Sequence, residues 1–165
     1  MGLTASNKVS IEYSSEVAEK RTDVRQGIRS LWSRRDFQPG DVIAEFTWDM
    51  IHPKPNYLTV QIGEGQHILL RPEYLECINH SCDPNCFFDT TRKVLVAVRA
   101  IQEGDEFSFF YPSAEWNMDQ AFQCLCGSPR CIGMIKGAKY LSPELVRQYQ
   151  FTDFIQQKLK ENGQL

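Results

Sequence analysis

The sequence contains no apolar run approaching the roughly 20 residues that a membrane-crossing helix needs, and Met1 to Ser10 lack the apolar middle of a secretory leader. A chain without either is expected inside a cell, in the nucleus or the cytoplasm, and away from membranes. It also lacks an excess of positive charge. Its 18 Lys and Arg stand against 21 Asp and Glu, a net charge of −3, and a general grip on nucleic-acid phosphates needs the opposite balance. Arg21, Arg25, Arg29, Arg34 and Arg35 do gather positive charge near the N-terminus, but an interspersed run of this kind is read first as a solvated face. Histidine is scarce, three in all, and His52 and His67 have no partners at metal-ligand spacing, so both read as surface or ordinary core side chains. Internal repeats, low-complexity tracts and coiled-coil heptads are also missing, and composition leaves the oligomeric state open. With 165 residues, 42% of them hydrophobic, the chain has the size of one domain with a real core.

What the sequence does have is cysteine in a pattern. Inside a reducing cell, six cysteines are expected as metal ligands and buried thiols before disulfides. Cys124-Leu125-Cys126-Gly127-Ser128-Pro129-Arg130-Cys131 reads CxCx4C, with a tight turn at Gly127-Ser128-Pro129 that lets three thiolates wrap one ion. Three thiolates leave a tetrahedral zinc one ligand short. The donor of the fourth is Cys82, in the stretch Ile78-Asn79-His80-Ser81-Cys82-Asp83-Pro84-Asn85. A site closed by Cys82, Cys124, Cys126 and Cys131 keeps no open position, so the zinc is expected to be structural. Free thiols or disulfides are the competing reading. Cys77 and Cys86 lie in apolar or strand-like surroundings and read as buried thiols.

Along the chain, residues 1–24 are polar, with Thr4, Ser6 and Asn7 in a loose arm and Ile11, Tyr13 and Val17 able to pair at a sheet edge. Ile28 to Ser33 and Arg35 to Phe46 read as strand segments about a turn at Pro39-Gly40. Short strands are expected at Tyr57–Ile62, His67–Leu70, Cys86–Phe88 and Lys93–Val98, with one helical turn at Pro72–Cys77. Ser142-Pro143-Glu144 is a helix start, a capping residue before proline, and Leu145, Val146, Tyr149, Phe154, Ile155 and Leu159 recur at helical spacing.

The order Asn79-His80-Ser81-Cys82 with Pro84-Asn85, then Gly104-Asp105-Glu106-Phe107-Ser108-Phe109-Phe110-Tyr111, then CxCx4C resembles the SET-domain lysine methyltransferases with a zinc-binding post-SET tail. The resemblance covers roughly residues 25 to 137. It implies a mainly β SET-domain fold of small sheets with a pseudoknot, here followed by a short C-terminal helical segment. The implied divisions are an N-terminal arm (1–24), the SET domain (25–115), the post-SET zinc-binding tail (116–137) and the helical segment (138–165). The implied cofactor is S-adenosylmethionine, held by Arg29, Ser30, Leu31 and Trp32, by the side-chain amide of Asn79, by His80 mainly through its backbone, and by Tyr111. Leu125, with Met134 and Ile135, is a candidate apolar wall beside the adenine. Tyr111 stands at the family's catalytic tyrosine, and Phe107, Phe109, Phe110 and Tyr111 supply an aromatic channel for a lysine amine. Phe109 stands at the position where tyrosine limits methylation, so di- or trimethylation is expected, on a histone or another protein. Two departures are visible: Ile28 and Ser30 replace the glycines of the family's GxG loop, and Phe110 replaces a small or acidic residue. A SET-like scaffold that binds a peptide or protein without turnover is the alternative.

Overall fold

A computed structural model of the protein describes residues 9–165, so the arm expected around Thr4, Ser6 and Asn7 lies outside the described residues. Thirteen short strands come in chain order: β1 (Val9–Ser14), β2 (Ala18–Asp23), β3 (Arg29–Ser33), β4 (Val42–Glu45), β5 (Ile51–His52), β6 (Val60–Gly63), β7 (Gln66–Ile68), β8 (Asn79–His80), β9 (Cys86–Asp89), β10 (Val94–Ala97), β11 (Ser108–Phe109), β12 (Phe122–Gln123) and β13 (Met134–Ile135). Two helices follow, α1 (Pro143–Val146) and α2 (Asp153–Glu161). The strands form five small sheets, ordered β1-β2-β3, β4-β10-β9, β5-β7-β6, β8-β11 and β12-β13. No described helix is long and apolar enough to cross a membrane.

Ile11 and Tyr13 lie on β1, paired with β2. The turn expected at Pro39-Gly40 closes over Gln38–Asp41, where Gln38 N donates to Asp41 Oδ2 and Gly40 takes φ +92°. The strand expected at Tyr57–Ile62 begins only at Val60. Asn56 captures the preceding residues in a turn, its Oδ1 accepting from Leu58 N and its carbonyl from Thr59 N, and this removes Tyr57 and Leu58 from the sheet. Similarly, the second strand covers Gln66–Ile68 and stops before Leu70. The helical turn before the central motif is a 3-10 helix, Glu73–Cys77.

β8 and β11 pair in parallel, Asn79 opposite Ser108 and His80 opposite Phe109. A parallel pair needs a crossover. Here it is residues 81–107, and the stretch just after β8 folds back over β11: Ser81 N donates to Phe109 O and Asn85 N to Ser108 O. This threading is the pseudoknot. Asn85, buried, fastens it with both ends of its amide, Nδ2 donating to Glu106 O at 2.8 Å and Oδ1 accepting from Ser108 N at 2.8 Å.

The main core gathers Leu31, Phe37, Phe88, Leu95, Ile101 and Phe107 beneath these sheets. A second apolar cluster lies under the C-terminal segment, where Val146, Phe151, Ile155 and Leu159 surround Phe110. The expected helical segment is two helices with two caps. Ser142 Oγ accepts from Leu145 N, and Thr152 Oγ1 accepts from Ile155 N. Between them, Tyr149 stacks on Phe110 with centroids 3.7 Å apart and planes 5° from parallel.

Candidate functional site

Four cysteines meet where the tail returns to the central motif. The ligand atoms of Cys82, Cys124, Cys126 and Cys131 all lie within 4.8 Å of one another. Zinc–sulfur bonds of about 2.3 Å give a tetrahedron with edges of about 3.8 Å, and Cys82 Sγ stands 3.8 Å from Cys124 Sγ. The donor set and its spacing therefore fit a zinc ion. β12 and β13 bring the CxC pair and the third thiol together, helped by Cys124 N donating to Gly133 O at 2.8 Å. Without a metal the thiols differ. Burial pushes Cys124 up to about 11, whereas Cys126, although burial also raises it, is drawn down to about 7 by hydrogen bonds around Cys82 and Ser128 and from its sister thiols. Cys77 and Cys86 are buried thiols away from this group, and burial raises both.

His80 links the cysteines to the aromatic strip. Its Nδ1 accepts from Tyr111 N at 3.1 Å, which leaves the ring proton on Nε2, 3.3 Å from Cys82 Sγ. Burial lowers its pKa to about 4, so the ring is neutral. The sequence reading gave His80 mainly a backbone role; the structure employs its side chain as the bridge between Tyr111 and Cys82. Asn79 Nδ2 donates to Arg29 O at 2.8 Å and to Glu106 Oε1 at 3.2 Å, tying β8 to β3. Ser30 and Trp32 share the same face of β3, and Trp32 Nε1 donates to Ser30 Oγ at 2.8 Å.

Arg29, Ser30, Trp32, Asn79, His80 and Tyr111 are all half-buried and keep surface for a ligand. Two expected contacts are not brought to it: the Leu31 side chain is fully buried in the core, and Leu125 is 91% exposed. Of the other two residues expected in the wall beside the adenine, Ile135 is buried beneath the cysteines and Met134 is exposed. Among the described residues Lys93 alone, apart from glycines, takes a positive φ. Ile28 and Ser30 therefore hold ordinary backbone, and the missing glycines cost no strain there.

Tyr111 also faces a cavity of about 330 Å³, shared with Tyr57, Leu58, Phe109, Glu115 and Phe122 among others, within the size range of small-ligand sites. Phe109 and Tyr111 stand with centroids 4.7 Å apart, on the same side of the chain. The Tyr111 hydroxyl donates to Ile78 O at 3.2 Å, and burial pushes its pKa up to about 12, so it remains a phenol. Phe107 and Phe110, expected in the channel, are elsewhere: Phe107 packs edge-on against Phe37 in the core, and Phe110 is covered by Tyr149. Alternation turns Phe110 away from Phe109, whereas Phe107 precedes β11 and is buried in the core. Three residues that sequence reasoning left without a role adjoin the site. Asn85 clamps β11, Glu115 lines the cavity, and Tyr149 donates to Cys82 O at 2.8 Å. The Asn closing the central motif was a visible signal for the first; nothing local marked the other two.

The methyltransferase flvH of Aspergillus flavus is 40% identical over 112 residues, covering 67% of this chain and 62% of that protein. An H3 lysine-36 specific histone-lysine N-methyltransferase of Emericella nidulans is 27% identical over 148 residues, 76% of this chain and 15% of that one. The chain thus spans less than two thirds of these relatives. The structure of KRYPTONITE in complex with mCHH DNA, an H3(1-15) peptide and SAH superposes with a TM-score of 0.52 at 21% identity, covering 67% of this chain and 28% of that one, a likeness of fold. The SET domain family matches residues 29–112, half of the chain and the whole span from β3 to Tyr111, and on this match the chain belongs to the SET domain family.

Proposed function

We propose that the protein is an S-adenosylmethionine-dependent methyltransferase acting on a protein lysine, in a histone or a non-histone substrate, in the nucleus or cytoplasm. The observation that carries this reading is the position of Tyr111, which borders the half-buried strip of β3, Asn79 and His80 and also the aromatic cavity. Similarity to methyltransferases supports it. When bound, the cofactor supplies an electrophilic methyl group. Arg29, Ser30 and Trp32 would carry it along β3, with the Asn79 amide at its amino-acid end and His80 beside it.

A lysine amine with a reference pKa of about 10.4 arrives protonated. Desolvation between Phe109, Tyr111 and Phe122 favours its neutral form, and the Tyr111 hydroxyl, fixed on Ile78 O, orients the nitrogen. Phe109 offers no hydroxyl to hold a water or the amine, so a methylated nitrogen can turn for another transfer, giving di- or trimethylated product. Cys82, Cys124, Cys126 and Cys131 would hold zinc as a structural clasp between the SET domain (25–115) and the tail (116–137).

Calorimetry with S-adenosylhomocysteine tests the reading. The parent protein is expected to bind it saturably, and Asn79→Ala to weaken it by about 1–3 kcal/mol through a lost buried hydrogen bond. A parent that binds none is a scaffold without turnover. Incubation of a lysate with a radiolabelled methyl donor then identifies the substrate band.

A further inference from the structure

Tyr149 lies in the link between α1 and α2, flanked by the exposed Gln148 and Gln150, and it does not line the aromatic cavity. Its contacts nevertheless converge on the chain around Tyr111. The ring lies flat on Phe110, the residue before Tyr111, and the Arg130 guanidinium stands 5.5 Å from the ring centroid. After Tyr111, Thr152 N donates to Ser113 O at 3.0 Å. The C-terminal segment therefore holds the backbone on both sides of Tyr111 without entering the cavity. A one-turn helix such as α1 cannot fix this link by itself. The stack on Phe110, with Phe151 set edge-on to the same ring at 6.5 Å, fixes where the Tyr149 hydroxyl points.

That hydroxyl donates to Cys82 O at 2.8 Å. Cys82 Sγ in turn lies 3.3 Å from His80 Nε2, and His80 Nδ1 accepts from Tyr111 N at 3.1 Å. The His80 ring packs against both Phe110 and Tyr111, with centroids 5.6 and 5.2 Å away. A line of hydrogen bonds thus runs from Tyr149 through Cys82 and His80 to the backbone of Tyr111. Cys82 is fully buried, so water cannot reach its carbonyl unless the chain moves. Buried acceptors are nearly always paired, and one left alone is costly. Loss of the Tyr149 hydroxyl therefore drives the Cys82 backbone towards water, and His80 and Tyr111 follow it.

We propose that Tyr149 is a positioning residue for methyl transfer: its hydroxyl holds Cys82 and, through Cys82 and His80, keeps the Tyr111 phenol where it meets the lysine amine. The proposal rests on the methyltransferase reading and deepens it, making the C-terminal segment a working part of that site.

The full chain carrying 3-fluorotyrosine tests this by ¹⁹F NMR, with the Tyr111 signal assigned as the one that Tyr111→Phe removes. Tyr149→Phe keeps the ring on Phe110 and deletes only the hydroxyl. It is expected to move or split the Tyr111 signal. Tyr140→Phe deletes a different hydroxyl of the same segment, bonded to Asn117 Oδ1 at 2.9 Å, and is expected to leave that signal in place. An unmoved Tyr111 signal in Tyr149→Phe, or an equal movement in Tyr140→Phe, overturns the proposal. With radiolabelled S-adenosylmethionine and a lysate, Tyr149→Phe is expected to lower turnover about tenfold while KM for the methyl donor changes by less than about threefold, because a misplaced reacting group costs rate. Unchanged turnover overturns the proposal. A parent that neither binds S-adenosylhomocysteine nor transfers methyl groups would instead fall on the methyltransferase reading, and the ¹⁹F comparison would still decide whether Tyr149 holds Tyr111.

Discussion

Tyr111 and Phe109 stand side by side, but their substitutions have opposite meanings. Tyr111→Phe removes the hydroxyl held on Ile78 O and leaves the ring contacts with Phe109, His80 and Phe122 in place. The fold is expected to persist, with methyl transfer reduced about 100-fold or more, on the scale of losing one transition-state hydrogen bond. Phe109→Tyr adds a hydroxyl at the cavity wall, and mass spectrometry at long reaction times should show fewer methyl groups per lysine. An unchanged product distribution would remove Phe109 from that role. Glu115 gives a third residue-scale expectation, in stability. Its folded pKa of about 9 lies above the reference carboxylate value of 4.5. Between these values the folded state holds a proton that the unfolded chain has released, so stability falls as pH rises across that window. Thermal melts of the parent should therefore decline from pH 5 to 9 more steeply than those of Glu115→Gln, and parallel curves would show that the carboxyl is already paired.

At the scale of elements, the site depends on how β8 and β11 are held. Asn85 spans both, and Asn85→Ala would leave Glu106 O and Ser108 N unpaired in the knot. Chemical denaturation should show a loss of about 2–4 kcal/mol, since each abandoned buried group costs about 1–3. The motifs that made this region legible in the sequence are local: Asn79 and His80 are adjacent, Phe109 and Tyr111 share a face, and the CxCx4C thiols lie within eight residues. What remained hidden depends on contacts across the chain. Glu115 is buried because Gln61, 54 positions earlier, and Ala138 hold its backbone. Phe110 leaves the channel because Tyr149 covers it, and no periodicity in either segment reports the other. Leu125 follows the first tail cysteine and looked like a wall residue, but the turn that gathers the thiols sends it outward. Strand ends were misread where a side chain captured the backbone, as Asn56 does before β6.

For the molecule as a whole, the cysteine cluster is the junction at which separate parts of the chain meet. Cys82 follows β8, the other three thiols belong to the tail, and Tyr149 brings the C-terminal segment to the same place through Cys82 O while Arg130 lies over its ring. Cys82, Cys124 and Ile135 form a buried cluster of their own, against which Tyr111 and Phe122 pack. A metal here would therefore do more than close the tail. Its binding energy is shared with local folding, and the same packing borders the Tyr111 hydroxyl. Purified protein is expected to contain one zinc per chain, and Cys82→Ser to lose most of it. Chelation should loosen residues 116–137, seen as faster amide exchange there, and weaken S-adenosylhomocysteine binding through His80 and Tyr111, while the β4-β10-β9 sheet keeps its protection. Full zinc content in Cys82→Ser would show that the central motif does not supply the fourth ligand. Loss of zinc without any change at Tyr111 would show that the clasp and the aromatic cavity are energetically separate.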